Sequence, residues 1–238
     1  MSKNKGKSRP AYHQTYEVIR DRILNGDIPG GTKIVEEKLA TELGYSRTPI
    51  RESLRQLGYE GLIVNKKVVQ PTEKDLRDLF QVRILLEGFS ARSAATYLPE
   101  EDLKSLSECI NIGREGTTDE IMSANERFHE IIVHSTGNSM MIDTINRMQS
   151  IIYLFRKTVV LYSRPRLIDE HEEIYEAIKS RDGQEAESLM KNHLQSDLDF
   201  CLHILSYNQN EKKEANECFS LSHLLLFFIE MIFGAPNF

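Results

Sequence analysis

Two short amphipathic segments of this chain are separated only by Gly44 and Tyr45, and that spacing restricts its fold more than any other feature. The first, from about Val35 to Leu43, offers Leu39, Ala40 and Leu43 at helical intervals. The second begins at Ser46, whose hydroxyl can accept from an orphan backbone N–H and so cap a helix. Pro49 falls in its first turn, where a missing N–H does no harm, and Ile50, Leu54 and Leu57 form its buried stripe before Gly61. A short helix, a glycine turn and a second amphipathic helix make a helix-turn-helix, whose second helix enters the DNA major groove by its N-terminal residues. Here those residues are Ser46, Arg47, Thr48 and Arg51, with Arg55 one turn further on. Arginine can bond two acceptors of a guanine edge, threonine suits a phosphate or a thymine methyl, and the helix N-terminus attracts phosphate.

The flanking residues extend this unit. Tyr16, Ile19 and Ile23 predict a helix from Tyr12 to Leu24, stopped by Gly26 and followed by a turn at Pro29-Gly30-Gly31. Leu62-Ile63-Val64 and Val68-Val69 flank Asn65-Lys66-Lys67, which reads as a small hairpin with a basic tip, Lys66 and Lys67 meeting phosphate. The expectation is a winged helix-turn-helix over residues 10–71, preceded by a disordered basic arm over 1–9. On the residues alone, a three-helix module with ordinary surface arginines remains an alternative. Charge separates the chain in the same place: residues 1–72 carry 13 Lys/Arg against 8 Asp/Glu, and the remainder carries 17 against 28. A basic nucleic-acid module joined to an acidic domain has this asymmetry.

The remainder reads as helix throughout. Thr72 and Asp75 have the spacing of a capping box opening a long helix that ends before Pro99. Further helices are expected at 100–113, 118–136, 138–162, 165–181 and 183–206, separated by glycine- and proline-bearing breaks. The fold expected is mostly α, the winged unit followed by an antiparallel helical bundle over 72–206. Residues 207–238 form an extension with an apolar stretch from Leu221 to Phe233, too short and interrupted for a membrane span. Cys109, Cys201 and Cys218 are odd in number and form no CxxC, and no apolar stretch follows the Lys-rich start, so a cytoplasmic protein is expected.

Within the bundle, Asn125 and His129 lie four apart, hence on one helix face, and His171 and His193 fall on later helices. Neutral imidazoles with an amide oxygen suit zinc, nickel or another divalent transition metal, although a core histidine can equally be a satisfied polar group. His129-Glu130 with His134 approximates the zinc-peptidase HExxH pattern, but the spacing of five turns His134 away from His129, and His134 reads as structural. Arg83, among apolar residues, is either an ion partner of Glu87 or a clamp for a ligand carboxylate.

The run from Glu36 to Leu54, with Ser46-Arg47-Thr48-Pro49-Ile50-Arg51-Glu52 at its centre, resembles the DNA-binding signature of the GntR family of bacterial regulators. It departs from that pattern at Glu37, where relatives often carry arginine, and in a short wing. Residues from about Glu73 to Leu205 resemble the FadR-type ligand-binding domain through Val82-Arg83, Leu86-Glu87, Phe128-His129, Glu170-His171 and His193-Leu194. The resemblance implies Asn125, His129, His171 and His193 as ligands of a divalent metal (zinc, nickel or manganese), with Asn125 standing where the family usually has Asp. It also makes Arg83 a clamp for the carboxylate of a small effector. A homodimer on a two-fold DNA operator is expected, because self-complementary association pairs two half-sites one helical turn apart. The function expected is therefore a ligand-responsive transcriptional regulator, as a repressor. A metal-dependent hydrolase, or a DNA-binding protein whose helical domain only dimerises, are the alternatives.

Overall fold

The computed structural model describes residues 11–215, giving the backbone alone at 155–159 and 207–215. The basic arm over 1–9 and the apolar stretch from Leu221 to Phe233 lie outside the described residues. The described chain forms two compact units that part between Gln70 and Pro71.

The first unit contains α1 (Ala11–Leu24), α2 (Glu36–Leu43), α3 (Arg47–Tyr59), β1 (Ile63–Val64) and β2 (Lys67–Val68). Ile19, Ile50, Leu57 and Leu62 are completely buried at its centre, each such side chain stabilising by about 1.5–3 kcal/mol. A hydrogen bond of 2.7 Å between the Thr15 and Ser53 hydroxyls satisfies the polar groups where α1 meets α3. Gly44 ends α2 in the left-handed conformation, at φ 71°, and donates to the Ala40 carbonyl, a backbone state open to glycine at little cost. Ser46 occupies the N-cap of α3, but its side chain makes no capping bond, contrary to expectation. An N-cap hydroxyl accepts from the second or third helical N–H, and the third helical residue here is Pro49, which has none.

The hairpin pairs Ile63 with Val68 and Val64 with Lys67. Lys67 thus belongs to a strand rather than to the tip. Asn65 and Lys66 alone make the turn, with φ of 52° and 60°, as a two-residue type I′ connection requires. A bridge from Lys33 to Lys67 adds an extended segment to the wing.

The second unit is a helical bundle of α4 (Glu73–Tyr97), α5 (Glu100–Glu115), α6 (Thr118–His134), α7 (Ser139–Leu161), α8 (Leu167–Lys179) and α9 (Gly183–Ala215). Thr72 and Asp75 form the expected capping box, and Thr117 with Glu120 forms another at α6. Helix α4 is the axis of the unit, packing most extensively on α9 and also on α6 and α8. Its buried face is apolar at both ends, with Leu76, Leu79 and Phe80 before, and Ala91, Ala94 and Ala95 after, the polar pair Arg83 and Glu87. Two helices run further than their sequence suggests. Helix α5 passes through Gly113, where an added Cβ would lie 2.5 Å from Ile168 Cδ1; the glycine admits α8 rather than ending α5. Helix α9 continues past Ser206 to Ala215. Among the described residues no helix is long and apolar enough to cross a membrane.

Candidate functional site

Ser46, Arg47, Thr48, Arg51 and Arg55 are exposed on the first turns of α3, and Lys66 and Lys67 are exposed on the wing. Both leading arginines lean on α2: Arg51 comes within 3.1 Å of Glu36 Oε2 and Arg47 within 3.8 Å. An exposed pair of this kind is worth about 0–1 kcal/mol, less than the roughly 1–3 kcal/mol of a bidentate base contact. The pairs with Glu36 are therefore weaker than a base contact and give way to it at a small cost.

The bundle has the opposite character. His129 of α6, His171 of α8 and His193 of α9 are buried, and one nitrogen from each lies within 4.8 Å of the others. His171 Nε2 and His193 Nε2 are 3.3 Å apart, and Phe128 stacks on His171 with ring centroids 4.2 Å apart. Asn125, one turn before His129 on the buried face of α6, is 3 % exposed, and neither its Oδ1 nor its Nδ2 has a hydrogen-bond partner. A buried amide left so costs about 1–3 kcal/mol, and such groups mark places where a ligand or ion completes the set. Two donors bound to one ion at about 2.0–2.1 Å are separated by roughly 3–4 Å, and the 3.3 Å between His171 Nε2 and His193 Nε2 agrees, with His129 inside the 4.8 Å that bounds the group. These residues therefore fit a divalent transition metal.

Behind the histidines stand carboxylates and guanidinium groups. Glu87 accepts from His129 Nδ1 at 2.6 Å and from Arg83 Nε at 2.7 Å. Arg83 is 1 % exposed and lies over the Phe80 ring, and its second terminal nitrogen, Nη2, has no hydrogen-bond partner. The ion pair with Glu87 thus engages only part of the guanidinium. Glu170 accepts from His193 Nδ1 at 2.9 Å and from two nitrogens of Arg164. Burial opposes its charge, but the hydrogen bonds of His193 and Arg164 and the Arg164 charge prevail, holding its carboxyl down at about 2. Where Nδ1 of an imidazole meets a carboxylate, Nε2 is left to face the cluster as donor. His134, by contrast, is exposed at the end of α6.

The Arg83–Glu87 pair is the ion-pair reading of the sequence, but sequence reasoning missed Arg164, Asp197, the contact of Glu87 with His129 and the contacts of Glu170. Asp197 had a signal in its one-turn spacing from His193. Arg164, beside Pro165 in a loop, had none.

Residues 11–68 match the bacterial regulatory proteins of the gntR family, and residues 78–196 match the FCD domain. The chain belongs to the GntR family. A gluconate operon transcriptional repressor of Bacillus licheniformis is 31% identical over 182 residues, covering 69% of this chain and 74% of its own. The HTH-type regulator YdhC of Bacillus subtilis, itself uncharacterized, is 29% identical over 213 residues, 84% of this chain and 94% of its own. The solved structure of E. coli McbR/YncC shares the fold, with a TM-score of 0.67 and 18% identity over 83% of this chain and 100% of that one. As a GntR protein the chain is a transcriptional regulator, and the hydrolase alternative falls, since the family and these relatives are regulators rather than enzymes.

Proposed function

We propose that this GntR regulator is a repressor released from its operator by a small organic acid bound at a metal-containing pocket of the helical unit. Ser46, Arg47, Thr48, Arg51 and Arg55 read or grip the major groove, while Lys66 and Lys67 meet phosphate. Asn125, His129, His171 and His193 hold zinc, nickel or manganese, and the acid ligates the metal while pairing with Arg83.

The observation that carries this reading is the convergence of three buried imidazoles; the Asn125 amide, one turn from His129, and Arg83 Nη2, on the far side of Glu87, are buried without a hydrogen-bond partner. Four neutral donors leave a divalent ion its full charge, and an anion is the ligand that such a pocket favours. Relatives named as repressors support the direction of control. The protein works as a homodimer on a two-fold operator. Val82, Leu85 and Phe89, exposed by 37%, 67% and 52%, form one stripe along α4 and support self-association.

A thermal-shift screen of organic acids, with and without chelator, tests the pocket. Gluconate belongs in it because a relative is named for the gluconate operon. Stabilisation by a carboxylate only in metal-loaded protein is expected. Response to neutral sugars or amines, with carboxylates inert in both metal states, overturns the pocket chemistry.

A further inference from the structure

The wing is wider than its hairpin. The segment before α2 joins β2 through the bridge between Lys33 and Lys67. Two backbone bonds flank that bridge, from Ile34 N–H to the Lys66 carbonyl at 2.8 Å and from Val68 N–H to the Thr32 carbonyl at 2.9 Å. Lys33 and Lys67 are thus a non-hydrogen-bonded pair, the kind in which opposed side chains stand closest on one face of a sheet. That face is the outer one. Ile34 and Val68, the next residues along, are buried, while Lys33, Lys67 and Val64, which pairs with Lys67, are exposed. Like charges directly opposite each other destabilise a sheet, and the wing holds no acid to offset them. Residues 28–35 and 61–72, which supply it, contain three lysines, Lys33, Lys66 and Lys67, and no Asp or Glu. None of the three has an ion-pair partner among the described residues.

The place of Lys33 in the unit selects the anion that answers this pair. It stands three residues before Glu36, at most about 11 Å along the chain, and Glu36 meets Arg51 and Arg47 on the first turns of α3. On its other side Lys33 faces Lys67 of β2. It therefore lies between the recognition helix and the wing. A duplex with α3 in its major groove runs its phosphate backbone along the edge of that groove, and lysine meets phosphate as a point charge. Resting on the DNA reading above, in which Lys66 and Lys67 meet phosphate, we propose that Lys33 is a further phosphate contact of the DNA interface, paired with Lys67 across the wing.

The test measures binding of the full chain by fluorescence anisotropy across a salt series. Two probes are used, a DNA duplex of random sequence and one selected from a random pool by the wild-type protein. Lys33→Gln should weaken binding to both by the same factor. Its salt slope should fall by about 0.9, so that raising salt from about 50 to about 200 mM costs it about 3.5-fold less affinity than wild type. Its melting temperature should be no lower than that of wild type, because the substitution removes a like charge. Lys33→Arg, which keeps the charge, should keep the slope. A slope lowered in Lys67→Gln but unchanged in Lys33→Gln overturns this inference and leaves the DNA reading of the wing standing. Slopes unchanged in both overturn that reading and this inference together. Weakening confined to the selected duplex would make Lys33 a reader of bases and also overturns it. Should Lys33→Gln not fold, lysine acetylation of the wild-type protein, read by mass spectrometry, takes its place. Lys33 protected by the random duplex supports the contact, and equal labelling with and without DNA refutes it.

Discussion

The two units of this chain place their polar chemistry on opposite sides of the surface. In the winged unit the functional cations are exposed, and the buried polar groups beside α1 are the Thr15–Ser53 hydroxyl pair and the Glu60 carboxylate, held by Tyr16 and Gln56. In the bundle Arg83, Glu87, Arg164, Asp197 and three histidines lie inside, tied to one another across four helices and a loop. The difference is one of consequence. An exposed arginine trades one solvated partner for another at little cost, so DNA contacts are separable from folding. A buried charge keeps its partner or destabilises the fold, so in the bundle sensing and stability are written in the same residues.

The largest effect expected is therefore Glu87→Ala, which strands the Arg83 guanidinium and should destabilise the protein by about 3–5 kcal/mol in urea unfolding. A loss below about 1 kcal/mol would mean that the bundle tolerates its buried charges as the surface does. Arg51→Ala and Arg47→Ala should each weaken operator binding by about 1–3 kcal/mol while leaving unfolding within about 0.5 kcal/mol of wild type. Retained operator selectivity in both variants would remove α3 from its role. Asn125→Asp should tighten metal binding on the order of tenfold, about 1.4 kcal/mol, read by chelator competition.

Two smaller changes sharpen the contrast from the DNA side. Lys66 holds φ 60° in the wing turn, so Lys66→Gly should stabilise the protein by about 1 kcal/mol. The same change should reduce the salt slope of DNA binding by about one phosphate. Glu36→Gln should shift stability by less than about 1 kcal/mol and raise operator affinity, because Arg51 and Arg47 no longer share their charge with α2.

The winged unit was legible because its signals are local: Gly44 at a positive φ, and Ile50 and Leu57 at helical spacing. It misled where two local signals competed, since Pro49 removed the donor that Ser46 would have capped. In the bundle, helix order was legible, but Gly113 was mistaken for a stop because its reason is the approach of Ile168, far along the chain. The histidines were legible as residue types. The groups that orient them were not, because Arg164 and His193 meet only through the fold.

Operator binding by fluorescence anisotropy, with and without zinc, in the presence of an acid found by thermal shift, tests the central claim most directly. The acid should weaken operator binding about 5- to 150-fold, a coupling of about 1–3 kcal/mol, in the zinc-loaded protein only, and Arg83→Ala should blunt it. An equal response in both metal states, or no carboxylate response in either, would contradict the account.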